Sequence, residues 1–212
     1  MRTLITAGAV TAAALLLGSC ETMSKDQCLA GAWGEQGYQD GSNGLPLSRF
    51  EDHAKACAKY SVVPEPTAYR SAREDGLIRY CTVPRGFQAG REGGEYYGVC
   101  TPDQETDFLP AYHDGQTVHA AEAAVSSARS SVESLGGRLE ELDDKITAKQ
   151  AEMRQDGLTD EQRDAIRNRI QEIRRERADT ERDWRRAQSD VDDAERRARD
   201  VRWRFRALYG DW

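Results

Sequence analysis

Five cysteines and three histidines are the side chains of this sequence best suited to metal, redox or nucleophilic chemistry: Cys20, Cys28, Cys57, Cys81 and Cys100, with His53, His113 and His119. A zinc site needs closely spaced thiolate or imidazole ligands, and neither Cys-x-x-Cys nor His-Glu-x-x-His occurs. A histidine base would have to pair His53 or His113 with Asp40, Asp52 or Asp114. No motif supports such a pair, so the histidines are expected to be structural or exposed. The glycine-rich stretch Gly86–Gly98 lacks the Gly-Lys-Ser/Thr that cradles a phosphate and any flanking βαβ pattern. Asp40-Gly-Ser-Asn43-Gly44 lacks the alternating ligands and terminal glutamate of a calcium loop, and a turn is expected there. Gly-x-Ser-x-Gly is absent. The sequence therefore assigns no catalytic, cofactor-binding or metal-ligating residue, and no enzymatic activity is expected.

Cys20 differs from the other four in its setting. Arg2 precedes an uncharged run of 14 small and apolar residues, Leu4–Leu17, which closes on Gly18-Ser19-Cys20. The run is too short to span a bilayer, where roughly 20 residues are needed, and suits the apolar region of a signal peptide. Leu-Gly-Ser-Cys resembles the lipobox of bacterial lipoproteins. That resemblance implies removal of 1–19 and a lipidated Cys20, carrying a diacyl group and an N-acyl chain such as palmitate, as the first mature residue. Among such lipoproteins an aspartate after the cysteine favours inner-membrane retention. Glu21 stands there, so the resemblance implies a lipid anchor in the outer membrane, on its periplasmic side. Multiple acyl chains suffice for stable anchoring.

The remaining cysteines, Cys28, Cys57, Cys81 and Cys100, are even in number, as a disulfide framework in an oxidising compartment requires. They allow three pairings, and the sequence does not choose among them. Local closure is easiest, which favours Cys28–Cys57 and Cys81–Cys100, each stabilising by about 3 kcal/mol in the chain-entropy picture.

Around these cysteines, turn formers with interleaved aromatics occupy Gly31–Gly44. Ser48-Arg-Phe-Glu51 has the form of a capping box for a helix to about Tyr60, with Phe50, Ala54, Cys57 and Ala58 inward. A second short helix is expected over Ala68–Asp75, capped by Gly76, and a short strand or extended piece around Ile78–Thr82. Tyr38-Gln-Asp-Gly41, Tyr69-Arg-Ser-Ala72, Phe87-Gln-Ala-Gly90 and Tyr112-His-Asp-Gly115 share an aromatic followed by a small residue three positions on. Their spacing is too irregular for a solenoid. A small residue one turn after an aromatic suits close backbone approach, so the motif reads as a packing device.

The order Cys28, Trp33, Gly37-Tyr-Gln-Asp-Gly41, Gly44, His53, Cys57, Tyr69, Gly76-Leu-Ile-Arg-Tyr-Cys81, Gly86-Phe, Gly90-Arg-Glu-Gly, Tyr97-Gly-Val-Cys100, Phe108, Tyr112-His-Asp-Gly115 resembles a Gram-negative lipoprotein family. It is catalogued as a domain of unknown function, number 2799. The resemblance covers about residues 26–120 and the anchor, implies location and fold, and carries no activity. Ala72 stands where the repeat expects glycine.

From Gln116 the composition changes to Ala, Glu, Arg and Asp at helical period. Val118, Ala121, Val125, Ala128, Val132, Leu135, Leu139, Leu142, Ile146, Lys149 and Met153 alternate steps of three and four, and the pattern resumes from Ile166 through Leu208. These are a/d heptads with two charged exceptions, Lys149 and Arg177. Gly157 suits a helix end, and Thr159 with Gln162 a capping box. Two such helices joined by a short turn are expected to fold back antiparallel, giving an arm of roughly 57 Å over 117–154. That register places Trp184 near Val132 and Gly136, where Gly136-Gly137 leaves room for the indole. The arginines of 174–199 interleave with acids as a solvated face would. Arg202-Trp203-Arg-Phe-Arg206 has no intervening acid.

Charge narrows the partners. Residues 20–115 carry 9 Lys/Arg against 15 Asp/Glu, and 116–212 carry 20 against 22. A net charge of −7 gives no general attraction to nucleic acid. The expected architecture is mainly α: signal peptide 1–19, lipidated tether 20–27, a small disulfide-bonded Gly/aromatic-rich α or α+β domain at 28–115, and a coiled-coil hairpin at 116–209. The expected function is a scaffolding or partner-binding lipoprotein whose hairpin meets an envelope protein or peptidoglycan. The alternative is a small-ligand-binding or enzymatic domain in the Gly/aromatic-rich region.

Overall fold

A computed structural model of the chain describes residues 22–211; the expected signal peptide and the expected lipidation site at Cys20 lie outside the described residues. Seven helices and no strand occur among them: α1 (Lys25–Leu29), α2 (Trp33–Ser42), α3 (Arg49–Ala58), α4 (Pro66–Tyr80), α5 (Val83–Arg91), α6 (Pro102–Met153) and α7 (Asp160–Tyr209). The chain divides into two compact units at Gly76–Leu77.

Several sequence expectations are corrected here. Of the turn-rich segment at 31–44, Trp33–Ser42 is α2, in which Gly37 and Gly41 face another helix, while Gly31 and Gly44 on either side of it take left-handed turn conformations. The expected strand at Ile78–Thr82 is instead the end of α4, which runs straight through Gly76. Ser48 makes no capping hydrogen bond, because its backbone is already helical and α3 grows from a turn in which Arg49, Phe50 and Glu51 bond back to Pro46, Leu47 and Ser48. That helix ends at Ala58, and its buried residues are His53 and Cys57. The long helix begins at Pro102, well before Gln116, set by a capping box between Thr101 and Gln104. It continues past Pro110, an interior proline that would ordinarily break a helix.

The first unit is built on a close pair of helices. A Cβ at Gly37 or Gly41 of α2 would overlap the carbonyls of Tyr69 and Arg73 on α4, and one at Gly76 of α4 would overlap Tyr38 and Ser42 of α2. The two backbones are in contact, and only glycine fits between them. Around this contact Met23, Cys28, Trp33, Cys57 and Tyr69 form a buried core, with Phe50 against it. The Cys28–Cys57 disulfide ties α1 to α3.

The second unit repeats this device. Gly86 and Gly90 of α5 meet Phe108 and Tyr112 of α6, and Gly115 of α6 meets Phe87 and Arg91 of α5. Each α5 residue stands 49 positions after its α2 counterpart, and each α6 residue 39 after its α4 counterpart. Helix ends repeat as well: Gly44 and Gly93 both take the left-handed conformation, and Leu45 and Gly94 donate to Asp40 and Ala89 respectively. Arg73 reaches the carbonyl of Leu45 just as Tyr112 reaches that of Gly94. This register aligns Ala72 with Ala111 and Gly76 with Gly115, so Ala72 is no departure. The first copy has a connection ten residues longer, which is the length of α3. A second disulfide, Cys81–Cys100, joins the start of α5 to the start of α6, so the bridges are the two local pairings.

Beyond Gly115, α6 pairs antiparallel with α7. Helices of 52 and 50 residues extend about 78 and 75 Å. The heptad positions Leu142, Ile166, Ile170, Ile173, Ala187 and Ala194 are buried. The indole nitrogen of Trp184 lies beside Gly136, as the register requires, whereas Gly137 meets nothing. Of the charged exceptions, Arg177 grips Asp143 across the pair at 2.6 and 3.1 Å, and Lys149 bonds Glu152 at 2.6 Å. The turn also differs in detail: Arg154 caps α6, while Gly157 supplies a left-handed residue two positions further into the loop than a cap would stand. At the far end Leu208 is exposed and Tyr209 takes the inward position, stacked on Phe87.

The glycines thus fall into two classes with opposite expected effects. Gly90→Ala should destabilise by about 1–3 kcal/mol through forced helix separation. Gly137→Ala should stabilise by about 0.5–1 kcal/mol, because its Cβ has open space and alanine is the better helix former. Thermal unfolding followed by circular dichroism measures both.

Candidate functional site

A buried polar cluster in the first unit is the structure's candidate site. Asp40 lies on α2 one turn after Gln36, on the face turned inward by Gly37 and Gly41. The Gln36 amide donates to Asp40 Oδ1 at 2.9 Å. The Tyr69 hydroxyl of α4 donates to Oδ2 at 2.5 Å, and His53 Nε2 of α3 lies 2.7 Å from the same oxygen. Three residues from three helices thus converge on one carboxylate, that of Asp40, which is 2% exposed, with His53 and Tyr69 at 0%. His53 Nδ1 is buried and has no hydrogen-bond partner.

The electrostatics follow from these contacts. Burial alone would raise the pKa of Asp40, but the bonds from His53, Tyr69 and Gln36, with the charge of His53, outweigh it and hold Asp40 below its ordinary 3.8. Burial, then the bond and charge of Asp40, push the Tyr69 hydroxyl well above its ordinary range, so it stays a donor. The carboxylate is ionised, and its partners compensate for its removal from water.

Chemically the cluster has a base next to a carboxylate, the first element of general acid–base catalysis. It lacks access, since neither His53 nor Tyr69 has any exposed surface. His113 and His119 are exposed. His113 bonds Gln116 at 3.0 Å, and His119 bonds the Arg91 carbonyl at 3.0 Å. Asp114 meets Tyr209, whose hydroxyl donates at 2.8 Å and is pushed up to about 12 by burial and that bond. Among the described residues, no three His, Cys, Asp or Glu side chains converge as a metal site requires, and no helix is long and apolar enough to cross a membrane.

The second unit is a control for what the fold itself needs. At the positions equivalent to Asp40 and Tyr69 it carries Ala89 and Phe108, and it has no counterpart of α3. The same glycine contacts form over an apolar interior in which Phe108 packs on Tyr80, Tyr96 and Tyr112. The glycine contact therefore does not require the carboxylate cluster, whose imidazole is supplied by α3. Sequence reasoning placed Asp40 and His53 among candidate pairs but missed Gln36 and Tyr69. The Gln36–Asp40 spacing of one helical turn would have exposed the first, had 33–42 been taken as a helix.

Two helix pairs closed through glycine, each with one disulfide, followed by a long helical hairpin: this is the all-α protein that the fold defines. Residues 32–117 match the family described as a protein of unknown function (DUF2799) and constitute a DUF2799 domain. The matched stretch starts at the N-cap of α2 and ends just past Gly115, so it contains both glycine-lined pairs. No curated protein and no solved structure matches the chain.

Two measurements test the cluster. Asp40→Ala should cost about 3 kcal/mol, because His53 and Tyr69 lose their buried partner. Adding Tyr69→Phe, which recreates the second unit's Ala89 and Phe108, should cost less than the two single changes summed. In urea titrations across pH, the advantage of the native chain over Asp40→Asn should be full above pH 3.8. It should fade as pH falls through the lower folded-state value, where the native carboxylate takes up a proton.

Proposed function

We propose that this chain is a lipoprotein held in the outer membrane through Cys20, facing the periplasm, and that it acts as a non-enzymatic scaffold whose hairpin binds an envelope protein or peptidoglycan. The observation that carries this reading is the hairpin. It presents long solvent-facing surfaces, and its ionic links run mainly within it: Arg129 to Glu195 at 2.6 Å and Arg177 to Asp143 at 2.6 Å across the pair, with Arg185 and Glu181 along α7. Shallow grooves beside the seam expose part of Val125, Val132, Val191 and Ala198, a mixture of apolar strip and charged rim that suits a partner surface. Arg202 and Arg206 are engaged by Glu122 and Asp211, and of the two aromatics beside them Trp203 points outward while Phe205 is buried.

The second reading, an enzymatic or ligand-binding first unit, rests on the His53–Asp40 contact of 2.7 Å. The burial of both partners, His53 completely and Asp40 to within 2%, weighs against it, since an enzyme offers its base to a substrate-sized cleft.

Cys20→Ala should abolish lipid attachment, seen as loss of acyl mass, and move the protein from the membrane to the soluble periplasmic fraction. Photo-crosslinkers at exposed positions of 117–208 in intact cells should trap a protein or peptidoglycan adduct. Absence of any adduct from the whole hairpin would overturn the scaffolding role.

A further inference from the structure

The last turns of α7 carry an outward face that packing within the chain does not use. Toward the core this helix presents Ala194, Ala198, Val201 and Phe205, of which Ala194 and Phe205 are buried. Trp203 stands about 200° around the helix from Phe205 and is 80% exposed. Leu208 is 68% exposed. A single exposed apolar side chain needs no explanation; what sets Trp203 apart is the charge around it. Between Asp200 and Asp211 there is no acid, and Arg202, Arg204 and Arg206 alternate through the gap, with Arg197 and Arg199 just before it. Arg199 and Arg206 stand within about 60° of Trp203 on one side and Arg204 about 100° away on the other, so cations flank the indole on both sides.

Pairing inside the chain takes up only part of this cationic capacity. Arg202 bonds Glu122 at 3.0 Å, Arg206 bonds Asp211 at 2.9 Å, and Arg199 approaches Glu195 only to 3.8 Å. Arg197 and Arg204, two turns apart on one line of the helix, have no ionic partner among the described residues. With Trp203, Arg199, Arg202 and Arg206 border a shallow hollow of about 180 Å³ that Gly210 and Asp211 close at its end. Each guanidinium has five N–H donors, more than one carboxylate takes up. Toward the tip of the hairpin the acids return, at Asp183, Asp190, Asp192, Asp193 and Glu195, so the unbalanced charge is confined to the end of α7 opposite the Gly157 turn.

We propose that the face of α7 around Trp203 is a membrane-contact site whose occupant is an anionic phospholipid surface. Headgroup phosphates receive the donors of Arg197, Arg204 and the arginines of the hollow. The indole sits at headgroup level, where its apolar body is covered and its N–H stays wet. Charge complementarity selects an anionic occupant, and size selects a lipid surface over a protein. A stable protein interface uses about 20–30 residues a side, whereas this face is bounded by Asp200 and by the helix end at Gly210. A lipid surface also needs no preformed pocket for a ring that stands out from a convex helix. The inference rests on the proposed lipoprotein reading only in that an anchored chain has a membrane within reach.

The test uses the disulfide-bonded chain 20–212 with Cys20→Ala, secreted behind the signal sequence of a soluble protein so that no acyl chain contributes. It is mixed with vesicles of phosphatidylcholine alone or with phosphatidylglycerol added. Sedimentation should carry the protein down with the anionic vesicles and not with the neutral ones, and added salt should release it. Brominated phosphatidylglycerol should quench part of the tryptophan emission, a part that disappears in Trp203→Ala. The same change should lower the partition coefficient about tenfold, and Arg197→Gln and Arg204→Gln about fivefold each. All three positions are exposed, so circular dichroism should show each variant folded as the parent. No binding to anionic vesicles, equal binding to neutral ones, or indifference to Trp203→Ala would each overturn the inference. Binding to purified cell-wall sacculi that depends on Trp203, with none to vesicles, would assign the face to the wall and overturn it as well. Every one of these readings is independent of whether Cys20 is acylated in cells.

Discussion

Contact between helix backbones, made possible by glycine, is the constraint on which the rest of this protein depends. Glycine in a helix interior costs about 0.5–1 kcal/mol against alanine, and the chain accepts it at Gly37, Gly41 and Gly76 and again at Gly86, Gly90 and Gly115. The return is an approach close enough that a flanking aromatic, Tyr69 or Phe108, is wholly buried beside the crossing. In so small a unit, few side chains could otherwise exclude water so completely. The disulfides then fix the flanking and connecting segments, and their cysteines are themselves part of the two buried cores.

With the crossing fixed by backbone, the two copies were free to differ in what fills the interior. One is apolar around Phe108. The other encloses a carboxylate, a phenol, an amide and an imidazole, and carries α3 to deliver the imidazole. Buried polar networks demand nearly complete hydrogen bonding, and this one leaves His53 Nδ1 without a partner. Such a cluster specifies one seating for α3 more sharply than an apolar contact would, because any slip leaves the Asp40 carboxylate without its donors.

Features set by local chemistry or by period were legible in the sequence. The heptads gave the hairpin and its register to within the Trp184–Gly136 contact, Thr159 and Gln162 gave the start of α7, and local closure gave both disulfides. Features set by contact between distant segments were not. The glycines of 31–44 look like turn formers until α4 lies against them. Gly76 looks like a cap, yet it is held inside a helix by the facing backbone of α2. The change of composition at Gln116 looks like the start of the long helix, but the Thr101 cap starts α6 earlier, and the helix runs on through Pro110. Leu208 continues the heptad on paper, but stacking on Phe87 and a bond to Asp114 turn Tyr209 inward instead. The aromatic-x-x-small motif was visible, but its correct alignment became clear only when the facing carbonyls identified which glycine matches which.

Helix α6 belongs to both halves of the second unit. Its first four turns are one side of the glycine contact, and the remainder is one arm of the hairpin, with no loop between them. A helix continuous through both halves couples them mechanically. A load on the distal turn at Gly157 would therefore act as leverage on the backbone contacts at Gly86, Gly90 and Gly115, with the Cys81–Cys100 bridge beside the fulcrum.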